Sequence, residues 1–162
     1  MAVVKIIEYP DPLLRGTADS VKDFGDELKK TVSNLWDTMY AADGIGLAAP
    51  QIGIKKQIIV IDYQGDKYVL INPEITKSEG SVVREEGCLS FPGIYEKVAS
   101  PEKLEVKYCD ENGQQHKKDA DKFLACVFSH EIDHLSGKLL IDRVSPLKRS
   151  FLKKKIEKHK KA

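Results

Sequence analysis

No stretch of this sequence approaches the roughly eighteen consecutive apolar residues that a membrane-spanning helix needs. The opening MAVVKIIEYPDPLLR also lacks the basic stretch and long apolar run of a secretory leader. A soluble, unprocessed cytoplasmic protein with no membrane partner is therefore expected. Cysteine is scarce as well. Cys88, Cys109 and Cys126 form an odd set without paired spacing, which argues against a disulfide framework, for a reducing compartment, and for at least one free thiol. There is no internal repeat, no low-complexity linker and no βαβ alternation. What remains is 162 residues, 41% hydrophobic and 31% charged, enough for a single globular domain over residues 1–162.

The net charge of +1 hides an asymmetry. Residues 148–161, KRSFLKKKIEKHKK, carry eight Lys or Arg against one Glu, so the rest of the chain is acidic by about six charges.

Residues 26–42 place Leu28, Val32, Leu35, Trp36 and Met39 at helical intervals and end in Asp43 and Gly44, predicting an N-terminal amphipathic helix with a stop. The period then changes. QIIVIDY, KYVLINPEI and LEVKYCD are short β-branched runs bounded by Gly, Pro, Asn or Asp, so strands are expected from about 57 to 118. DENG is expected to close a tight hairpin through Asn-Gly. DKFLACVFSHEIDHLSG returns to helical spacing, with Asp121 as N-cap and Gly137 as stop. Pro146 opens a short helix over about 146–161 that carries the basic tail. Strands first and helices later give an α+β fold class.

His130 and His134 lie four residues apart, on one helix face and about 6 Å apart along its axis, a spacing suited to one metal ion. Glu131 beside them can reach a metal-bound water. The plain alternative is a surface helix whose histidines fall at that spacing by chance. A catalytic site needs three protein ligands and an open position, and the downstream sequence supplies no third one. The continuation His-Glu-x-x-His-x-x-Gly-x-x-His of one zinc-peptidase family has its Gly at Gly137, but its last position is Leu140. Glu157, the only later Glu, sits among lysines.

Upstream, REEGCLSFPG sets Cys88 in a loop among strands, where a thiolate can face a metal. It can equally be a small core cysteine, as Cys109 and Cys126 are taken to be, and position alone does not choose. DGIGLAAPQIG combines Gly44, Gly46 and Gln51 after the first helix. It reads either as a helix stop and turn, or as backbone that an extended substrate approaches closely while the Gln51 amide donates to a carbonyl oxygen.

GIGLAAPQ (44–51), EGCLS (86–90) and HEIDH (130–134), in that order, together resemble peptide deformylase. YPDPLLR near the start and SPLK before the tail extend the resemblance over nearly the whole chain. It implies antiparallel sheets around a central helix bearing the two histidines, between an N-terminal amphipathic helix and a basic C-terminal one. It implies a hydrolase that removes the N-formyl group from the initiator methionine, releasing formate, with N-formylmethionyl peptides and nascent polypeptides as substrates. Cys88, His130 and His134 are implied as ligands of one divalent metal, physiologically iron(II), with zinc(II), nickel(II) or cobalt(II) able to occupy the site. Glu131 is implied as the group that takes and returns the proton, and the Gln51 side chain and Leu89 N–H as oxyanion donors. Ile45, Phe123, Cys126 and Val127, bordered by Glu86 and His130, are implied to receive the methionine side chain, and Gly46 to bond the substrate backbone. For Phe123, Cys126 and Val127, ordinary core packing is the competing reading.

The sequence departs from the family pattern in places. Ser129 stands where Gln is common and Ser136 where Asn, Asp or Val is usual. Tyr95 stands where some members carry an Arg near the substrate. Ser100 stands where an Arg is common, a natural partner for Asp133, so a supporting ion pair is in question. In the tail, Leu147, Phe151, Leu152 and Ile156 are expected to form one apolar stripe that docks the helix. Its lysines then form a solvated face or, alternatively, contact the ribosome through its RNA. Two rivals stand beside the hydrolase reading: a zinc endopeptidase indifferent to Cys88, and a metal-stabilised RNA-binding module with no catalytic activity.

Overall fold

The computed structural model describes residues 2–161, with side chains to 158. Helix α1 (Asp26–Ala41) is followed by the strands β1 (Gly46–Ala48), β2 (Ile58–Tyr63), β3 (Asp66–Glu79), β4 (Val82–Gly87), β5 (Tyr95–Ser100), β6 (Lys103–Cys109) and β7 (Gln115–Asp121). Helices α2 (Lys122–His134) and α3 (Pro146–Lys161) complete the chain. The strands form a five-stranded antiparallel sheet in the order β1-β2-β3-β6-β7 and a separate β4–β5 hairpin. The fold is α+β. Among the described residues no helix is long and apolar enough to cross a membrane.

The run QIIVIDY explains why the large sheet lies between two helices. Successive side chains of a strand point to opposite faces. Ile58 and Val60 pack with Val32, Leu35 and Met39 of α1, whereas Ile59 and Ile61 pack with Ala125, Val127 and Phe128 of α2. A strand buried on both faces reads as a continuous apolar run. Each fully buried Ile contributes roughly 1.5–3 kcal/mol, and a charge at Ile59 would undo the α2 side. α1 buries Leu28, Val32, Leu35 and Met39, and ends where Asp43 turns with φ +56.

Several local expectations are corrected. KYVLINPEI is the middle of a 14-residue strand: β3 pairs first with β2 and then, past register shifts between Ile71 and Glu74 and between Ile75 and Lys77, with β6. DENG does close the β6–β7 hairpin, but Asn112 does not take the positive φ expected of Asn-Gly. Cys109 pairs with Gln115 across a five-residue loop in which only Gly113 has positive φ, and the Asp110 carboxylate accepts from the Asn112 and Gln114 N–H groups. Asp121 occupies the N-cap position of α2 without capping through its side chain. α3 takes the expected bounds, Pro146–Lys161, and at 16 residues equals α1 in length. The expected tail stripe splits: Leu152 and Ile156 are buried against a cluster with Phe91, Ile94 and Leu140, while Leu147 and Phe151 are 84% and 71% exposed. Each residue turns a helix by about 100°, so the narrow docking face takes one pair and leaves the other in solvent.

Candidate functional site

A cleft of about 860 Å³ runs between the segment after α1 and the end of the β4–β5 hairpin, floored by α2. Every residue singled out in the sequence lines it, from Ile45, Gly46 and Gln51 through Glu86, Cys88 and Leu89 to Phe123, Cys126, Val127, His130 and Glu131. His134 is the exception. It lies beneath the cleft, 1% exposed.

The two histidines face one another on α2 with ring centroids 5.2 Å apart. β4 ends at Gly87 and delivers Cys88, whose Sγ lies 3.4 Å from His134 Nε2. One donor atom from each of Cys88, His130 and His134 fits within a mutual spread of 4.8 Å. Two ligands of a tetrahedral ion with metal–sulfur and metal–nitrogen bonds of about 2.3 and 2.1 Å sit about 3.6 Å apart, so the Cys88–His134 spacing suits a shared cation. Cys109 packs against the α1 cluster instead. Cys126 is buried beside Glu86 and Ser100, and burial, then Glu86, pushes its thiol up to about 12, which makes it inert.

The charges around the histidines converge on the same point. Burial alone would depress the His130 imidazole, but the Cys88 sulfur, Glu86 and Glu131 hold it well above its ordinary value. His134 is held well below, first by burial and then by the neighbouring His130 charge, and its buried Nδ1 has no partner among the described residues. Glu86, 7% exposed, sets Oε1 3.6 Å from His130 Nδ1. One thiol sulfur and two carboxyl groups thus surround two imidazoles, donor chemistry that suits a divalent cation. The donor set fits such an ion.

Glu131 is 4% exposed and its carboxyl is pushed up to about 7, chiefly by burial, with His130 opposing and Asp133 and Glu86 reinforcing the rise. Its room comes from Gly46. A Cβ there would lie 2.8 Å from Glu131 Oε2 and 3.0 Å from its Cγ. Gly44 similarly makes way for Leu89, since a Cβ would lie 2.7 Å from Leu89 Cδ1. The glycines of GIGLAAPQ therefore serve close packing as well as the turn.

Gln51, 1% exposed in the turn Ala49–Ile52, is fixed at both ends of its amide. Oε1 accepts from the Ala48 N–H at 3.0 Å, and Nε2 donates to Ser90 Oγ at 3.1 Å and lies 3.7 Å from Cys88 Sγ. Ser90 was not singled out in the sequence; its place two residues after Cys88 was the only signal. Phe123 and Val127 satisfy both readings, since each lines the cleft and packs on the α2 side of the sheet, Phe123 against Tyr63.

The question over Asp133 is answered from another part of the chain. With Ser at 100, Asp133 takes its cation from Arg143, whose Nε and Nη2 lie 2.6 and 2.5 Å from Oδ2. The same guanidinium donates to Ser129 Oγ at 2.7 Å. The ion pair that Ser100 put in question is thus made with a different arginine.

The polypeptide deformylase family model matches residues 3–150. A peptide deformylase of Thermodesulfovibrio yellowstonii is 46% identical, covering 97% of this chain and 98% of that protein. One from Acidobacterium capsulatum is 46% identical over 100% of this chain and 98% of its own. Among solved structures, a peptide deformylase from Legionella pneumophila superposes with a TM-score of 0.94 at 44% identity, covering 99% of this chain and 96% of that one. The enzyme from Synechococcus elongatus in complex with actinonin gives 0.90 at 45% identity, covering 95% and 86%. On a match that runs from end to end in both sequence and structure, the chain belongs to the polypeptide deformylase family, metal-dependent hydrolases that remove the N-formyl group from new polypeptides.

Proposed function

We propose that residues 1–162 form one cytoplasmic catalytic domain in which Cys88, His130 and His134 hold a divalent metal, and that Glu131 and Gln51 carry out the deformylation of N-formylmethionyl peptides beside it. The observation that carries this is the convergence of the three donor atoms within 4.8 Å, at the floor of one cleft beside a buried carboxyl group. When bound, the metal acidifies water and polarises the scissile carbonyl. Iron(II) is our reading of the physiological metal, with zinc(II), nickel(II) or cobalt(II) as substitutes compatible with one thiolate and two imidazoles.

Glu131 takes a proton from the attacking water and passes it to the departing amine nitrogen. Burial favours the protonated form of this carboxyl, which raises its proton affinity toward that of a general base working near neutral pH. The formyl carbon gains the water oxygen and loses the amine, giving formate and a free N-terminus. The Gln51 amide has two N–H groups. Ser90 holds one; the other makes only a long contact, 3.7 Å, to Cys88 Sγ and turns from it to the oxyanion, with the Leu89 N–H as the second donor. Ile45, Phe123, Cys126 and Val127 receive the methionine side chain, with Glu86 and His130 at the border. β1 is an edge strand, and Gly46 on it bonds the substrate backbone in an extended pose.

The basic face of α3, with Lys153, Lys154, Lys155 and Lys158, is read as solvated. Its exposed Leu147 and Phe151 favour, as a second reading, a salt-sensitive contact with the ribosome near the emerging chain.

Formate release from formyl-Met-Ala-Ser by anaerobically purified protein tests the main reading. Release that Glu131→Gln abolishes is the expected result. Cleavage of internal peptide bonds instead, or no release from protein carrying one equivalent of divalent metal, would overturn it.

A further inference from the structure

Arg143 lies in the short turn Leu140–Arg143, away from the cleft, yet its guanidinium reaches three residues on two other elements. Nε and Nη2 hold Asp133, Nη2 also donates to Ser129 Oγ at 2.7 Å, and Nη1 donates to the Ala99 carbonyl at 3.2 Å. Ser129 immediately precedes His130, and Asp133 immediately precedes His134. Ala99 belongs to β5, which pairs with β4 as far as Gly87, the residue before Cys88. One side chain therefore ties the helix that carries two of the donor atoms to the hairpin that delivers the third.

We propose that Arg143 is a positioning residue that fixes the separation between Cys88 and the histidine pair, a role that rests on the metal-site reading above. The two halves of the site come from separate pieces of secondary structure, α2 and a hairpin outside the main sheet. Metal ligands must be held to a few tenths of an ångström, so something must fix these pieces against each other. A planar guanidinium with five donors spans three acceptors at once, which the single ammonium of a lysine does not. The contact is also shielded, with the Arg143 and Asp133 side chains 21% and 17% exposed. Without Arg143, Asp133 loses the cation it bonds to while staying mostly buried, and the last turn of α2 is released from β5. The small side chain of Ser129 leaves space for the guanidinium and supplies an acceptor.

The full chain loaded with cobalt(II) provides the test, in native form and as Arg143→Ala, Arg143→Lys and Val32→Ala. Val32 lies on α1, buried on the face of the sheet opposite α2, and controls for a general loss of stability. Two quantities are read: the visible ligand-field and thiolate charge-transfer absorption, and the rate at which excess chelator removes the ion. Arg143→Ala is expected to shift the bands and release cobalt about tenfold faster. Arg143→Lys should fall between it and the native protein, and would carry the test alone if the alanine variant did not fold. Val32→Ala should lower Tm while keeping native bands and release rate. Native bands and release rates in both Arg143 variants would overturn the role, as would Val32→Ala matching them. Native protein that takes up cobalt without thiolate absorption would overturn the metal-site reading itself.

Discussion

Replacing Glu131 with Gln should abolish turnover and, in the metal-stripped protein, increase stability at neutral and alkaline pH. The carboxyl is 4% exposed, its Oε1 has no partner among the described residues, and burial raises it from its ordinary 4.5 to about 7. Between those values the folded chain binds a proton that the unfolded chain releases. Stability therefore falls as pH rises from about 4.5 to about 7 and stays low above. The full rise corresponds to about 3 kcal/mol. Glutamine fills the same space without ionising, so its advantage should grow from about 1 kcal/mol at pH 5 to about 3 kcal/mol at pH 8. Urea unfolding of chelator-stripped native and variant protein, under reducing conditions at both pH values, measures the difference directly. An advantage that does not change between pH 5 and 8, or a variant less stable than native at pH 8, would refute the argument that burial sets this proton affinity. The same burial that prepares Glu131 for proton transfer is then a stability cost carried for function.

Cys88→Ala should lose the bound metal together with turnover; one full equivalent of metal by elemental analysis, with activity retained, would count against a thiolate ligand. Gly46→Ala should lower kcat by about a hundredfold, because a Cβ 2.8 Å from Glu131 Oε2 displaces the carboxylate and misplacement of about 1 Å can cost that much. An unchanged kcat would show that the carboxylate yields at no cost. Leu152→Ala should lower stability by about 3 kcal/mol, since the side chain is 2% exposed in the cluster with Phe91 and Ile94. A thermal melt matching the native one would remove α3 from the core. Deleting everything after Arg149 is thus a poor test of the basic tail, whereas changing Lys153, Lys154 and Lys155 to Glu leaves the buried face intact. Unchanged co-sedimentation with ribosomes at low salt would dispose of the ribosome contact.

Much of the frame was legible because it depends on local period. Leu28, Val32, Leu35 and Met39 repeat at helical spacing and all are buried in α1. IIVI (58–61) is apolar without interruption because both of its faces are covered. The division of the tail was not legible, because periodicity assigns a face and not its width: Leu147 belongs to the same pattern as Ile156, yet only one of them finds a surface to cover.

The site divides in the same way. The sequence by itself determined which chemical groups exist and which lie on a common local element: two imidazoles and a carboxylate within five residues, a glycine-rich turn, a cysteine in a loop. Spacing could not choose among three cysteines, since nothing local relates Cys88 to histidines more than forty residues later. Only the packing of the hairpin against α2 set Cys88 Sγ 3.4 Å from His134. Tertiary structure likewise decided that Ser90 fixes the Gln51 amide, that Gly46 makes room for Glu131, and that Arg143 serves Asp133 where position 100 holds a serine. The physical reason is common to all four. Hydrogen bonds, steric contacts and ligand spacings act over a few ångströms in space, and only the folded chain brings residues distant in sequence within that reach.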